Sequence, residues 1–317
     1  MATILNKVKN AKLWYYVRNI IRQGIPILFY QQALSRKLRS IKNYNPGAIA
    51  DRVNYYNKLD KASELGPAAI TLGNMPIFKS PKAYNFDTFE YTRYFDKNFK
   101  ANFLVGDITH VAKEPSIQKS RPIFGDNRNA VLLKLDKKRH FVFLEDSIPF
   151  TSKKDILVGR GVISQPHRKR FMEMYFGNPM CDLGDVNKRP YNTAWSKPKL
   201  SIQEHLQYKF ILSLEGNDVA TNLKWIMSTN SIAVMPKPKY ETWFMEGRLI
   251  PGYHYIEIKD DYSDLEQQLN YYIANADAAQ AIIVNANEYV KQFLNKQQEG
   301  LIALLVLQKY FKYTSQI

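Results

Sequence analysis

This chain has little of what builds a secreted or membrane-spanning protein. Its 317 residues include one cysteine, Cys181, so no intramolecular disulfide can form. Such a sequence fits a reducing compartment such as the cytosol, and no signal-peptide pattern is recognisable. The apolar stretch at residues 13–30 is interrupted by two arginines, a glycine and a proline, which is too broken to span a bilayer. We therefore expect a cytoplasmic protein in which Cys181 is a buried small side chain rather than a nucleophile.

Acidic residues are few relative to basic ones. The chain has 45 Lys and Arg against 29 Asp and Glu, a net charge of +16. A charge this large predicts an anionic partner such as a phosphate, a nucleic acid or a membrane surface. Zinc-ligand clusters, an aromatic RNA-binding signature and a compact arginine-rich arm are all absent from the sequence, so nucleic acid is not the expected partner. A basic surface without a specific partner stays open as an alternative.

The N-terminal stretch combines aromatic, aliphatic and basic residues. Trp14, Tyr15, Tyr16, Ile20 and Ile21 alternate with Lys and Arg. This pattern predicts either a helix on an anionic membrane surface or an ordinary amphipathic helix that packs on the rest of the protein.

Residues 204–265 are the most informative part of the sequence. Short apolar runs predict buried parallel strands at residues 208–214, 231–235 and 254–258. The first run ends in Glu215-Gly-Asn-Asp218, a turn signal with helix N-cap candidates, and a helical pattern follows over residues 219–227. A strand, a glycine-containing turn and a helix start together hold phosphate through backbone N–H groups and the helix dipole. This half of the chain is therefore predicted to hold an anionic ligand, most simply a nucleotide.

A second α/β region is predicted earlier in the chain. Short apolar strands are expected at residues 102–105, 140–144 and 155–158. The loop-rich segment at residues 179–198 predicts a domain junction. The expected division is an N-terminal domain with a basic helical extension over residues 1–180, a second α/β domain over 181–295, and an apolar helix over 296–317 that packs back on the protein.

Several strings carry a resemblance to a known family. They are Glu204–Gly216, Val219–Ser231 and His254–Leu265, with weaker matches at Leu104–Asp107, Lys119–Pro122 and Gly159–Gly161. These residues resemble glycosyltransferase family 90, which includes Rumi-type protein O-glucosyltransferases, fungal capsule xylosyltransferases and bacterial lipopolysaccharide-modifying enzymes. The similarity covers about residues 100–295. The compact length and the string at residues 217–225 look most like the bacterial lipopolysaccharide branch.

The resemblance implies an α/β, GT-B-like fold with two Rossmann-like domains that face each other across a cleft. It also implies a UDP-sugar donor as substrate, transfer with inversion at the anomeric carbon, no metal and no cofactor. The sequence agrees on the metal, because no Asp-x-Asp motif occurs. The acceptor would be a lipopolysaccharide or lipooligosaccharide core saccharide. The first domain would face this acceptor, the second would bind the UDP-sugar, and the basic surface would hold the enzyme near core phosphates or the inner face of the cytoplasmic membrane.

Asp107 is the expected catalytic base, because it follows an apolar strand and matches the catalytic aspartate of the resembled family. An inverting transferase needs one carboxylate to take the proton of the attacking hydroxyl. The family's proline two residues further on is replaced by Thr109. His110 is a competing base.

The expected donor-binding residues lie after the strands of the second half. They are Arg160, Arg168, Glu215, Gly216, Asn217, Asp218, Val219, Ala220, Thr221, Asn222 and Lys224. Arg160 lies between two glycines and matches the family's Arg-Gly pair, so it is expected on the diphosphate. Asn222 stands where Rumi-type enzymes carry an arginine, so either Lys224 or Arg160 would supply the charge.

Glu215 and Trp243 have two interpretations each. Glu215 could bond ribose or sugar hydroxyls, or it could interact with the helix start. Glu241 and Trp243 match family positions near the donor, and Trp243 could pack on a ring or belong to the core.

The alternative from another class is a non-catalytic binding protein for an anionic polysaccharide or nucleic acid. A protein O-glycosyltransferase is less favoured, because the sequence shows no secretory signal or disulfide framework.

Overall fold

A computed structural model describes residues 2–317, with side chains from Leu13 onward. The chain forms two compact units, Met1–His140 with Asn295–Ile317, and Phe141–Leu294. The helices are α1 Ala2–Gln23, α2 Ile27–Arg39, α3 Pro46–Tyr56, α4 Lys82–Thr92, α5 Lys137–His140, α6 Pro166–Tyr175, α7 Ile202–His205, α8 Leu223–Ile226, α9 Leu265–Ala274, α10 Ala276–Lys291 and α11 Lys296–Tyr313. The strands are β1 Ile70–Thr71, β2 Lys100–Leu104, β3 Ser116–Gln118, β4 Ser120–Pro122, β5 Ala130–Leu132, β6 Lys154–Gly161, β7 Cys181–Asp185, β8 Tyr208–Leu212, β9 Ile232–Met235, β10 Tyr240–Thr242 and β11 Ile256–Glu257.

The first unit contains a sheet of order β1-β2-β3-β5. β1 pairs antiparallel with β2, while β2 with β3 and β3 with β5 are parallel. The register sets Phe103 opposite Ile117 and Ile117 opposite Val131. Ile117 and Val131 are fully buried, so the middle of this sheet lies inside the unit.

Helix α11 completes the first unit although it follows the second unit in the chain. It begins after Asn295, whose side chain accepts from the N–H groups of Gln297 and Gln298 and so caps the helix start. Glu299 of this helix forms ion pairs with Arg52 (2.6 Å) and Lys134 (2.7 Å). The side chains of all three residues are at least nine-tenths buried. Their charges are paired with one another inside the fold.

The second unit contains a five-stranded sheet of order β11-β9-β8-β6-β7. Every pairing in it is parallel. Its central strands β8 and β9 are mainly apolar, as expected where a parallel sheet is buried on both faces. Phe210, Ile211 and Val234 are fully buried in it. The predicted α/β class with parallel strands is confirmed.

The unit boundaries and two segments differ from the sequence predictions. The division falls at His140 rather than at residue 180, because β6 pairs with both β7 and β8 and therefore belongs to the later sheet. The strand predicted at residues 140–144 is wrong. His140 ends α5, and the Leu144 N–H donates to the Ser228 hydroxyl (2.9 Å) instead of to a neighbouring strand. The region predicted as loop-rich contains β7.

Among the helices that the structure describes, none combines the length and the apolar character needed to cross a bilayer.

Candidate active site

The second unit has a crevice where its strand order reverses. Along the chain β6 is followed by β7 on one side, and β8, β9 and β11 are then added on the other side. In open parallel sheets the ligand binds at the carboxyl ends of the strands that flank this reversal. Here those strands are β6 and β8, which end at Gly161 and Leu212.

A cavity of about 380 Å³ lies at this edge. Its lining residues are Gln165–His167, Ser213–Asn217, Val219, Ala220, Leu223, Met235–Tyr240, Glu246, Asp260 and Tyr262. Most come from the loops after β8, β9 and β11 and from the start of α6, while Leu223 begins α8 and Glu246 follows β10. Glu215, Gly216, Asn217, Val219 and Ala220 of the predicted donor-binding set are thus brought together. The size suits a small ligand or part of a nucleotide.

Arg168 holds the ends of β6 and β8 together. Its Nε donates to the Glu215 carbonyl (2.9 Å), one terminal nitrogen donates to the Leu214 carbonyl (2.8 Å) and the other to the Val162 carbonyl (3.0 Å). A guanidinium has five N–H groups, so two more can point to a ligand. Burial lowers the pKa of Arg168, which nevertheless stays charged.

Two glycines make room for this guanidinium. A Cβ at Gly161 would lie 3.6 Å from one terminal nitrogen of Arg168, and a Cβ at Gly216 would lie 3.5 Å from the other. The backbone at both positions therefore approaches the cation closely.

Glu215 anchors the loop after β9. One carboxylate oxygen accepts the backbone N–H groups of Lys239 (3.0 Å) and Tyr240 (3.1 Å). Burial raises the pKa of Glu215 to about 7, and the nearby Glu246 acts in the same direction against the two N–H groups. A carboxyl that titrates near neutrality in a cavity wall can donate or accept a hydrogen bond with a ligand hydroxyl. Neither sequence interpretation of Glu215 included this anchoring.

The predicted helix start at residues 217–221 is wrong. This segment forms bends and a turn, and helix α8 begins only at Leu223. The Asn222 side chain donates to the Leu212 carbonyl (2.9 Å) and accepts from the Ser213 hydroxyl (3.2 Å). Asparagine side chains compete in this way with helical hydrogen bonds. The cavity is therefore walled by the 216–220 segment, with Asp218, Val219 and Ala220 buried, and not capped by a helix N-terminus.

Lys224 does not reach the cavity as a free cation. Its side chain is fully buried and forms an ion pair with Glu246. The Glu246 carboxylate also accepts from the N–H (2.6 Å) and the hydroxyl (2.9 Å) of Thr242. Because Glu246 lines the cavity, Lys224 acts on it by setting the position of that carboxylate.

Arg160 is turned toward β7. It donates to the Asp182 carboxylate (2.9 Å) and carbonyl (2.7 Å), to the Gly159 carbonyl (3.0 Å) and to the Pro198 carbonyl (3.2 Å). Asp182 also binds Lys197 (2.8 Å). Most N–H groups of Arg160 are therefore engaged by protein oxygens in this structure.

A second cavity of about 350 Å³ is lined by Arg168, which does not line the first cavity, and the two cavities share Leu214. Arg160, Arg168, Thr221 and Asn222 of the predicted set line it. The sequence prediction grouped these residues with Glu215 around one ligand, whereas the structure distributes the set over two adjacent cavities that share the Arg168 neighbourhood.

In the first unit Asp107 lies in the loop after β2. Hydrogen bonds from the neighbouring segment 118–120 hold this loop in place. Gly106, with φ of +114°, turns the chain after β2. The Lys119 ammonium donates to the Asp107 carboxylate (2.5 Å), the Ser120 hydroxyl to the Ile108 carbonyl (3.0 Å), and the Gln118 amide to the His110 carbonyl (3.4 Å). The Asp107 side chain stays 29% exposed while that of Lys119 is 1% exposed. The carboxylate is thus paired with a buried cation and remains partly exposed.

His110, Glu241 and Trp243 are less suited to contact a ligand. The ring of His110 is exposed, and its carbonyl is what the Gln118 amide contacts. Glu241 and Trp243 are 2% and 0% exposed, so Trp243 belongs to the core.

Cys181 lies in β7, half-buried rather than fully buried. Burial raises the pKa of its thiol to about 12, so the thiol is protonated and a poor nucleophile at neutral pH.

Several cavity residues were not predicted from sequence. His167 contacts the Glu215 carbonyl through its ring (2.8 Å). Tyr262 adopts a left-handed conformation, φ of +67°, which is rare for a residue with a Cβ. The position of the 236–240 loop directly after an apolar strand could have indicated that it lines the cavity.

Among the described residues, no three His, Cys, Asp or Glu side chains cluster as they would around a metal.

A parallel sheet with a cavity at its reversal point defines a ligand-binding α/β domain of the doubly wound class. Residues 145–315 match the model described as "Glycosyl transferase family 90". The chain belongs to this family and is a glycosyltransferase. The predicted family is therefore confirmed, and the enzyme is favoured over the binding protein that charge alone left open.

Curated relatives agree with this membership. The chain is 46% identical over 305 residues to "O-glucosyltransferase LpsA" of Dichelobacter nodosus, with 95% of each chain covered. It is 23% identical to human "Protein O-glucosyltransferase 1" over 53% of this chain and 44% of that protein. It is also 21% identical to "O-glucosyltransferase rumi" of Drosophila melanogaster, over 52% of this chain and 42% of that protein.

Proposed function

We propose that this glycosyltransferase moves a glucosyl or related sugar from a UDP-sugar to a saccharide of a lipopolysaccharide or lipooligosaccharide core. The sugar is suggested by the printed names of the relatives, above all the one that is 46% identical over 95% of both chains. The observation that carries the donor is the cavity at the strand reversal, with Arg168 and Glu215 in its immediate surroundings.

Arg168 is the residue we propose for the diphosphate. It has N–H groups beyond those that bind the strand-end carbonyls, and guanidinium suits phosphate oxygens. Arg160 was the first choice from sequence, but Asp182 and backbone carbonyls occupy most of its donors. Glu215 is proposed to bond hydroxyls of the ribose or of the donor sugar, because its carboxyl lies in the cavity wall.

Asp107 is proposed as the catalytic base. The acceptor oxygen would attack the anomeric carbon as its proton passes to the Asp107 carboxylate. The bond from that carbon to the diphosphate oxygen would break with its electron pair, releasing UDP with inverted configuration at carbon. Lys119 would keep the carboxylate oriented during the transfer. We propose that no metal and no cofactor take part, and that cations of the protein stabilise the leaving diphosphate.

A GT-B-like fold and a cytoplasmic location, peripheral to the inner membrane face, belong to the same proposal. Their support is the family membership, the parallel sheet of the second unit and the surplus of basic residues. The proposed donor residues belong to the second unit and the proposed base to the first.

A UDP-release assay tests the proposal directly. Purified protein would be incubated with a panel of UDP-sugars in the presence of EDTA, with and without a lipooligosaccharide acceptor. We expect UDP release from one sugar, UDP-glucose first, that survives EDTA and increases with acceptor. UDP binding by calorimetry without release would direct the search to another acceptor. Absence of both release and UDP binding would overturn the donor assignment.

A further inference from the structure

Helix α1 attaches to the first unit through polar side chains. The Tyr15 hydroxyl donates to the Asp87 carboxylate (2.9 Å) of α4, and Arg22 forms an ion pair with Glu90 (2.9 Å) of the same helix. Asp87 is fully buried and Asn19 is 3% exposed. The inward face of α1 is therefore the polar one, the reverse of an ordinary amphipathic surface helix.

The outward face of α1 and the start of α2 is apolar. We call the exposed residues the apolar stripe; they are Leu13, Trp14, Ile20, Ile21, Ile25, Leu28 and Phe29. Trp14 is 67% exposed and Phe29 63%. In α1 they recur at the spacing of one helix face, and α2 has no buried residue. A contiguous exposed patch of large apolar side chains marks an interaction surface, unlike single exposed residues.

The charge around this stripe selects the partner. Residues 1–50 contain nine Lys and Arg and no Asp or Glu. Arg18, Arg36, Lys37, Arg39 and Lys42 are exposed. Anionic lipid attracts each such cation, and an exposed tryptophan and aliphatic side chains enter the acyl boundary of a bilayer. A second copy of this chain would bring the same positive charge and be repelled.

We propose that the apolar stripe docks this protein on an anionic lipid bilayer, with the stripe in the headgroup–acyl boundary and the flanking cations on the headgroups. The docked helices lie in the interface and do not cross it. Docking extends the proposed peripheral location to a named surface, but it does not depend on which sugar or acceptor the enzyme uses.

Tryptophan fluorescence gives a direct test on the intact protein. Trp195, Trp225 and Trp243 are buried, whereas Trp14 is exposed, so a change on adding vesicles reports mainly Trp14. We expect a blue shift, and quenching by brominated acyl chains, with vesicles of phosphatidylcholine mixed with phosphatidylglycerol. Trp14→Phe should remove the fluorescence change while vesicle co-sedimentation continues.

Matched variants distinguish the contribution of the apolar stripe to vesicle binding from that of the flanking cations. Ile20→Ser with Ile21→Ser should weaken partition into anionic vesicles by roughly tenfold or more. Arg36→Gln with Arg39→Gln should weaken it by on the order of tenfold, and high salt should have a similar effect. Val284→Ser, at an equally exposed position of α10, should change nothing.

Three outcomes would overturn the docking proposal. They are no partition of the wild type, equal partition into purely phosphatidylcholine vesicles, and a wild-type dimer that the Ile20→Ser, Ile21→Ser variant converts to a monomer in sedimentation. UDP-sugar hydrolysis measured without vesicles keeps this result separate from the proposed transfer activity.

Discussion

The two units differ in the side chains that they bury at and next to their sheets. The second-unit sheet buries mostly apolar side chains, and Arg168 and Glu215 meet in the loops beyond its edge. In the first unit the segment 118–121, which spans the end of β3 and the start of β4, reads Gln-Lys-Ser-Arg, and each of these residues is at most 1% exposed. In the second unit the candidate ligand cavity lies at the margin of the sheet, whereas in the first unit a buried polar segment runs on from a strand of the sheet.

The two units hold their loops in different ways. An apolar parallel sheet fixes loop backbones, and those loops can vary with the ligand. The polar strand segment instead holds one loop by side chains, since Gln118, Lys119 and Ser120 each contact a residue of the 107–110 loop. A buried polar network of this kind is rigid only while every member keeps its partner.

The largest effect is expected at the loop that the polar segment holds. Asp107→Asn should lower sugar transfer by about 10²–10⁴-fold, because the acceptor proton loses its proposed base. UDP affinity should remain within about twofold of wild type, since donor residues are untouched. Initial rates and calorimetry measure the two quantities, with the exposed Asp60→Asn as control. Wild-type turnover in Asp107→Asn would remove this residue from the mechanism.

The next effect concerns stability of the polar segment itself. Arg121 donates to the carbonyls of Tyr55 (2.6 Å), Tyr56 (3.3 Å) and Ala130 (2.9 Å). Arg121→Met should lower the free energy of unfolding by about 3 kcal/mol, because it leaves buried carbonyls without donors. Arg128→Met, at an exposed site in the same unit, should leave the free energy of unfolding nearly unchanged, because solvent screens an exposed ion pair. Urea unfolding compares them, and equal losses would show that the buried polar segment contributes no more to stability than an exposed ion pair.

A smaller effect is expected at the margin of the apolar sheet. Arg168→Ala should weaken UDP binding by about 10–100-fold, through loss of the proposed phosphate contact and of the hydrogen bonds that join β6 and β8. Arg170→Ala, exposed on the same helix, is the matched control, and Arg160→Ala should fall between the two. If Arg160→Ala weakens UDP binding more than Arg168→Ala, the original assignment from sequence is the better one.

The smallest effect is a pH dependence from Glu215. Its pKa is raised from 4.5 to about 7 on folding, so between these values the folded state holds more proton than the unfolded state. Stability is therefore greatest below the lower value and falls as pH rises through this window. Glu215→Gln should flatten that part of the curve, whereas the exposed Glu173→Gln should not. Thermal unfolding from pH 4 to pH 8 measures it, and an unchanged slope in Glu215→Gln would assign the dependence to another group.

Sequence patterns were most useful where the sheet is apolar. The run predicted at residues 231–235 is β9, Ile232–Met235, and the run at 208–214 contains β8. Strands β3 and β4 escaped prediction because polar residues such as Gln118 and Arg121 fill positions that an apolar pattern requires. The partners that bury them lie far away in the chain, and a single sequence does not show these pairings.

The candidate site was predictable in composition but not in detail. Glu215, Gly216, Val219 and Ala220 do line one cavity, since each follows a recognisable strand. Helix α8 begins later than predicted, after Asn222, whose side chain bonds Leu212 and Ser213. Helical periodicity does not reveal such side-chain hydrogen bonds. The orientation of Arg160 depended on Asp182, 22 residues away on β7.

Helix α11 has a consequence for biosynthesis. The ribosome makes residues 141–294 before it makes α11, yet α3 and β2 need that helix: Asn57 bonds the Val306 carbonyl (3.1 Å), and the Tyr310 hydroxyl accepts the Asn102 N–H (3.2 Å). We therefore expect the second unit to fold on the nascent chain before the first unit, whose residues 46–140 are made earlier but still lack α11. Stalled chains ending at residue 294 should resist proteolysis over the second unit and be cut readily within residues 46–140. Equal resistance of both regions would show that residues 46–140 fold without α11.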